Sequence, residues 1–348
     1  MPEQVPTSGA KRGSVTLYEV AKLAGVSHMT VSRFLRKEPT VSPETARRVA
    51  KAVEELDFRP SPAARAMRTG KSNRIAVFLP ESPTAAHLKM LGGVADSAHD
   101  AGYFLDVVYM GGTPQVRTDQ LKKLLVPGTI DGVLSLTPLP DGTEQLKTAN
   151  LDLPVIVDGE YDGSTDSQEI LTDASSMKEI IHYLALLGHR RFFHVAGPAA
   201  WASARNRRTT YETTIAELGL ESSAVIAGDW TVKSGWDAAT RIIADSKVTA
   251  VIAANDRSAI GVIRGLHDLG IDVPKQVSVV GWDDDEVGRY LAPTLSTVSV
   301  NHERQGEDAI DRLLALLRGQ SPAGPPAAAT LNRFVPRGST GPAPACTT

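Results

Sequence analysis

Two groups of residues in this 348-residue chain have the types and spacing for molecular recognition. The first is Ser27-His28-Met29-Thr30, continued by Ser32 and Arg33. Presented from a helix, Arg33 can pair with a guanine in bidentate fashion, a contact worth roughly 1–3 kcal/mol of discrimination. His28 supplies a donor or acceptor for a base edge, and Met29 an apolar contact for a thymine methyl. Thr16, Tyr18, Ser27, Thr30 and Ser32 suit phosphate oxygens, which set register without reading sequence. The second group is Asp158, Arg207, Trp230, Asn255 and Asp283, each placed just after a short β-rich run or in the loop beyond it. Charged and amide groups pair with vicinal hydroxyls, and an indole face stacks on the C–H side of a sugar ring. Trp282 and His302 stand beside this group. Taken one at a time, each has a plainer reading: an exposed helix residue for the first group, packing or a helix cap for the second. Asp256 in particular reads as an N-cap.

Catalytic sets are missing from the sequence. Gly70-Lys71-Ser72 resembles the end of a phosphate-binding loop, but Arg65 stands where the first glycine belongs. There is no G-x-G-x-x-G, G-x-S-x-G or H-E-x-x-H, and His302-Glu303 lacks the second histidine. The single cysteine, Cys346, rules out a disulfide framework or a cysteine metal site. A non-enzyme with no cofactor and no metal is expected.

The elements that must position the first group are three short helices. Thr16-Leu-Tyr-Glu19 is a capping box ahead of Val20, Leu23 and Ala24. Ser27 can cap a second helix whose Val31, Phe34 and Leu35 turn inward. Ser42-Pro43-Glu44 opens a third with an apolar face of Ala46, Val49, Ala50, Val53 and Leu56. Helices one and two are separated only by a short corner containing Gly25, the spacing of a helix-turn-helix. Ser61 and Pro62 can then open a helix over residues 61–68, too short to hold by itself in water. Docked on DNA it would insert Met67 as an apolar wedge into a minor-groove step, with Arg65 and Arg68 near phosphates. A plain interdomain linker is the alternative.

The second group needs a different scaffold. From about residue 71, β-rich runs alternate with amphipathic helical segments: strands near 75–79, 104–108, 132–136, 155–157, 192–195, 225–227, 251–254 and 277–280. Such alternation argues for parallel sheets with helices on both faces, and the length argues for two of them. Ligands bind beyond the carboxyl ends of such strands, here in the cleft between two lobes. Residues 330–335 read as one last strand, and the Pro/Ala-rich residues 336–348 as a disordered tail. Helix 303–317 carries Ala309, Ile310, Leu313, Leu314 and Leu317 on one face, which suits packing within a lobe.

Charge divides along the same line. Residues 1–74 hold 14 basic against 7 acidic residues, leaving 23 basic and 33 acidic for the remainder. A basic head on an acidic body is suited to meeting a polyanion with the head alone. No apolar run reaches the length of a membrane span, and residues 1–14 read as a polar, disordered arm with no secretory signal. A cytoplasmic location fits.

The stretch Val15-Thr-Leu-Tyr-Glu-Val-Ala-Lys-Leu-Ala-Gly-Val-Ser27, followed by Thr30-Val-Ser-Arg33, resembles the head of the lactose-repressor/galactose-repressor (LacI/GalR) family. Val41-Ser-Pro-Glu-Thr45 and the hinge at 60–67 continue the resemblance, which covers residues 15 to about 335. It implies an all-α three-helix head at 15–59, a hinge helix at 60–71 and an α/β two-lobed, type I periplasmic-binding-protein-like sensor at 72–335. One lobe would hold 72–170 plus 302–329, the other 171–301 plus 330–335. It also implies a bacterial, nucleoid-associated homodimer on a near-palindromic operator. Asp158, Arg207, Trp230, Asn255 and Asp283 match positions where sugar-responsive members hold their effector, with Trp282 and His302 lining the pocket. The function so implied is repression of carbohydrate-utilisation genes, relieved by a sugar. A purine-like corepressor is the alternative, and a cytoplasmic sugar-binding protein or enzyme on the same sensor fold a remote third. Met67 replaces the usual hinge leucine, and Arg36 a frequent recognition-loop asparagine.

Overall fold

Capping chemistry sets the three N-terminal helices. Helix α1 (Leu17–Ala24) begins where Thr16 Oγ1 accepts the Glu19 N–H and the Glu19 carboxylate accepts the Thr16 N–H at 2.7 Å. It ends at Gly25, whose φ of +63° is left-handed backbone that a side chain would strain. That sharp stop lets α2 (His28–Leu35) start three residues later, with Ser27 Oγ accepting the Thr30 N–H at 3.2 Å. Helix α3 (Pro43–Glu55) has Ser42 as N-cap and proline in its first turn. Val20, Ala24, Val31, Val49, Ala52 and Phe58 close a small core between them, with Phe34, Leu35 and Leu56 packed at its edge.

The computed structural model describes residues 15–35, 38–58, 71–124, 126, 128–139, 153–157, 174–245, 247–322 and 332–345. The expected hinge with Arg65 and Met67, Arg36 and the candidate Asp158 lie outside the described residues. The chain divides into two units, Met1–Ser72 and Asn73–Thr348.

The second unit contains two parallel four-stranded sheets. In the first lobe, β1 (Arg74–Pro80), β2 (Phe104–Met110), β3 (Gly132–Ser135) and β4 (Val155–Val157) run in the order β2-β1-β3-β4, flanked by α4 (Ala85–Asp100) and α5 (Pro114–Leu124). Strand β1 buries both its faces. Ile75, Val77 and Leu79 meet Val94 and Ala98 of α4, while Ala76 and Phe78 join Met110 and Leu121. This is why it reads as an unbroken apolar run.

The second lobe follows: α6 (Ser175–Leu186), β5 (Arg191–Ala196), α7 (Ala202–Glu217), β6 (Glu221–Ala227), α8 (Val232–Ala244), β7 (Ala250–Ala253), α9 (Asp256–Asp268) and β8 (Ser278–Val280). Its sheet order is β6-β5-β7-β8. Phe193, Val195, Val251 and Val279 pack under α8 and α9; Phe192, Ile252 and Val280 face α6 and α7.

A short strand β9 (Thr297–Val300) then carries the chain to α10 (His302–Leu317), which packs on α4 and β3 and so belongs to the first lobe. The α4–α10 crossing is glycine-dependent. A Cβ on Gly93 would lie 2.1 Å from Glu303 O, and one on Gly306 2.0 Å from Met90 O. Strand β10 (Asn332–Val335) returns antiparallel to β9. The sequence reading anticipated β10 and α10 but not β9.

The tail differs from its expected disorder. Residues 336–345 form a strap along the second lobe. Val279 N donates to Ser339 O, Ser339 Oγ to Val279 O at 2.6 Å, and Ala343 N to Leu187 O. Buried His189 joins Thr249 Oγ1 at 2.9 Å and Gly341 O at 3.0 Å. Proline and alanine lower the local tendency to order, but strand-edge hydrogen bonds from distant residues overcome it.

Candidate effector cleft and nucleic-acid interface

A cleft opens between the two lobes, lined by residues lying just beyond strand carboxyl ends. Trp201 follows β5, Trp230 follows β6, Asn255 follows β7, Trp282 and Asp283 follow β8, and His302 follows β9. Six of the seven effector residues expected from sequence therefore share one cavity of about 780 Å³, counted to its open mouth: Arg207, Trp230, Asn255, Trp282, Asp283 and His302. The seventh, Asp158, lies outside the described residues.

Arg207 reaches the cleft from α7. Its Nη1 donates to Ala254 O at 2.6 Å, and its guanidinium lies 4.3 Å from the ring centre of Trp282 and 5.9 Å from that of Trp230. Burial lowers its pKa, opposed by the carboxylates of Asp283 and Asp256. Trp282 is 1% exposed and acts as the floor under the guanidinium. Trp230 has φ +67°, Asp283 +110° and Asp284 +50°, left-handed backbone on three non-glycine residues around one site. Such conformations persist only where the surroundings enforce them.

Those surroundings can be named. Asp283 N donates to Val298 O at 2.9 Å. Asp284 is buried, and its carboxylate takes guanidinium hydrogen bonds from Arg289 and from Arg337 of the strap. Asp256 is not the helix cap. Asn255 is, with Oδ1 accepting the Ser258 N–H at 2.9 Å and Nδ2 donating to Trp230 O at 3.1 Å. Asp256 instead sits buried beneath the loop, accepting from Thr297 Oγ1 at 2.5 Å and Asp285 N at 2.7 Å. Burial, reinforced by the nearby charge of Asp283, raises its pKa well above the usual carboxylate value.

The residue at position 302 begins α10. His302 Nδ1 meets Gln305 Oε1 at 2.9 Å; its Nε2 lies 3.6 Å from Asp283 Oδ1 and is buried with no hydrogen-bond partner. Several lining residues escaped the sequence reading: His87 and Met90 on α4, Leu136 after β3, Trp201 and Gln305. His87 packs edge-on against Trp201 across the cleft, ring centres 5.5 Å apart, and Trp201 lies 6.4 Å from Trp230. The spacing Thr84-x-x-His87, a cap followed by a partner three residues on, is the signal that could have found His87.

On the N-terminal unit, Thr16, Tyr18, Ser27, His28, Met29 and Arg33 are exposed, and Thr30 and Ser32 half-buried. Met29 is 52% exposed, a large apolar side chain left in water at the start of α2. Tyr18 lies against His28, ring centres 5.1 Å apart, and Arg33 Nε is 3.9 Å from the Glu38 carboxylate. The hydroxyls of Thr16 and Ser27 already serve as helix caps. Among the described residues no helix is long and apolar enough to cross a membrane, and no group of three or more His, Cys, Asp or Glu is arranged to hold a metal ion.

Comparison with known proteins agrees with this division. Residues 16–61 match the family described as bacterial regulatory proteins, lacI family, and residues 181–340 the periplasmic binding protein-like domain. The chain is 28% identical over 314 residues to the HTH-type transcriptional repressor PurR of Vibrio campbellii, covering 87% of this chain and 92% of that protein. It is 28% identical over 309 residues to the ribose operon repressor of Escherichia coli K12, covering 86% and 92%. Among solved structures, the lac repressor dimer bound to operator and the anti-inducer ONPF aligns with a TM-score of 0.83 at 26% identity, over 94% of this chain and all of that one. With a helix-turn-helix head, two parallel α/β lobes and a cleft between them, the chain belongs to the LacI/GalR family of DNA-binding transcriptional regulators.

Proposed function

We propose that this regulator represses carbohydrate-utilisation genes and is released from its operator by a sugar held between the lobes. The observation that carries the reading is the joint presence in one cleft of a half-buried donor fork, Arg207, a carboxylate acceptor, Asp283, and the indoles of Trp230 and Trp282. A vicinal diol accepts from a guanidinium and donates to a carboxylate at once, while its ring C–H face needs an aromatic surface. Asn255 and His302 complete the polar set, with Asp158 the remaining candidate.

On the DNA side, α2 addresses the major groove through His28, Met29 and Arg33, with Thr16, Tyr18, Ser27, Thr30 and Ser32 near phosphates. From the hinge, Met67 enters a minor-groove step and Arg65 acts near phosphates. Two heads of a homodimer read a near-palindromic site in the bacterial cytoplasm. Phe104, Val107 and Tyr109 on edge strand β2 and Leu88 on α4 are exposed apolar side chains of one lobe, and that exposure supports a surface for a second copy to cover. Effector occupancy changes the lobe arrangement, the hinge helix loses its order and operator affinity falls. A ligand can drive this only through its differential affinity for the two states, typically about 1–3 kcal/mol of coupling. No role as an enzyme is proposed.

Calorimetry with D-ribose, lactose and cellobiose tests the reading. At least one should bind the wild type, and Asp283→Ala should abolish the heat. A purine corepressor is the second reading, favoured by the repressor PurR among the relatives and by the three indoles along the cleft. Heat from hypoxanthine alone would select it.

A further inference from the structure

The first lobe lines the cleft with apolar Ala86, Met90 and Leu136 and with polar Thr84 and His87 around the start of α4 and His302 and Gln305 on α10. The chemistry of His87 is set by its own helix. It occupies the third position of α4, where its Nδ1 accepts the Thr84 N–H at 3.1 Å and meets Thr84 Oγ1 at 2.7 Å. A backbone N–H can only donate, so Nδ1 must present its lone pair, and the ring proton resides on Nε2. A glutamate at this place in a capping box offers acceptor atoms only. Histidine uses one nitrogen and keeps the other.

The ring is also held neutral. Burial lowers the His87 pKa to about 4, with His302 adding to the effect and Asp283 opposing it. Above pH 5 it is therefore a donor with no acceptor capacity and no charge. The groups facing it are the Trp201 ring from the N-cap of α7, Asp283 from the loop after β8 and His302 at the start of α10.

We propose that His87 is the specificity-determining contact of the first lobe, donating Nε2–H to a hydroxyl, ring or carbonyl oxygen of the effector. This rests on the effector-cleft reading above and deepens it. Two donor-only groups, Arg207 from the second lobe and His87 from the first, then confront a single ligand, with Asp283 as the carboxylate acceptor. The ligand chemistry that satisfies all three is an uncharged polyol spanning the lobes. A protonated amino substituent facing His87 would oppose one donor with another and is rejected.

Two substitutions isolate the donor. His87→Glu keeps an acceptor for the Thr84 N–H and removes the donor; His87→Gln keeps both. Full-length wild type labelled with ¹⁵N-histidine should show His87 as the neutral Nε2–H tautomer from pH 5.5 to 8. In calorimetry with D-ribose, lactose, cellobiose and hypoxanthine, the probe that binds wild type should bind His87→Glu roughly tenfold or more weakly, the loss of one buried hydrogen bond. His87→Gln should recover to within about threefold, with melting temperatures of both variants close to wild type. An Nδ1–H tautomer, a charged ring at pH 6, or equal affinity of His87→Glu and wild type would overturn this inference alone. Absence of heat from every probe with wild type would overturn the effector reading and this inference together, whatever the tautomer.

Discussion

His194 sits in the middle of β5, fully buried, its ring stacked 4.8 Å from Tyr211. Its Nδ1 bonds to Ile252 O at 2.8 Å, and its Nε2 has no partner. Burial lowers its pKa from 6.5 to about 4. Below pH 6.5 the unfolded chain takes up a proton that the folded chain refuses until about pH 4, so stability is full above 6.5 and falls with pH through that window. The loss attributable to His194 is about 3 kcal/mol across it. His87 and His189 shift in the same direction. Urea unfolding should show a midpoint that drops between pH 7 and pH 5, with a shallower drop in His194→Gln; identical pH dependence in the two proteins would contradict the assignment. At this scale the cleft was largely legible. Arg207, Trp230, Asn255, Trp282, Asp283 and His302 each stand in or beyond the loop after a β-rich run, which is where a parallel sheet delivers its ligand residues. Asp256 was misread because Asn255 and Asp256 are equally good caps by type. Only the burial of one carboxylate under the Asp285 and Thr297 donors separates them.

Among the elements, the first lobe is closed by α10, whose closeness to α4 depends on Gly93 and Gly306. Gly306→Ala should lower stability by roughly 1–3 kcal/mol, since the added methyl meets the Met90 carbonyl and the helices must part. Chemical denaturation measures it, and an unchanged midpoint would show that the crossing is looser than described. The strap offers a second test. Ending the chain after Val335 strips partners from Val279 N, Ser296 N, His189 and Asp284, several of them buried. Each orphaned group costs about 1–3 kcal/mol, so the melting temperature should fall by about 5 °C or more. A truncated chain that melts with the full-length protein would refute the strap's role. Parallel strands were readable because each is a short apolar run between helical patterns. The strap and β9 were not, because their order comes from partners far away in sequence. Arg337, for instance, is fixed by Asp284 and by the carbonyl of Leu295.

For the molecule as a whole, the surplus of positive charge in residues 1–74 against an acidic remainder gives its DNA binding a definite salt signature. Affinity for non-specific duplex should fall steeply with salt, by about 0.9 in log–log slope per phosphate contacted. Arg33→Ala should narrow the gap between specific and non-specific fragments while leaving effector heats unchanged. A variant that discriminates as well as wild type would remove Arg33 from the base-reading set. If cleft occupancy governs operator affinity, fluorescence anisotropy on fragments flanking the protein's own gene will register it. One preferred fragment should be bound at moderate salt and released by a carbohydrate that no longer acts on Asp283→Ala. Indifference to every fragment, or a preferred fragment held equally with and without each carbohydrate and hypoxanthine, would contradict it.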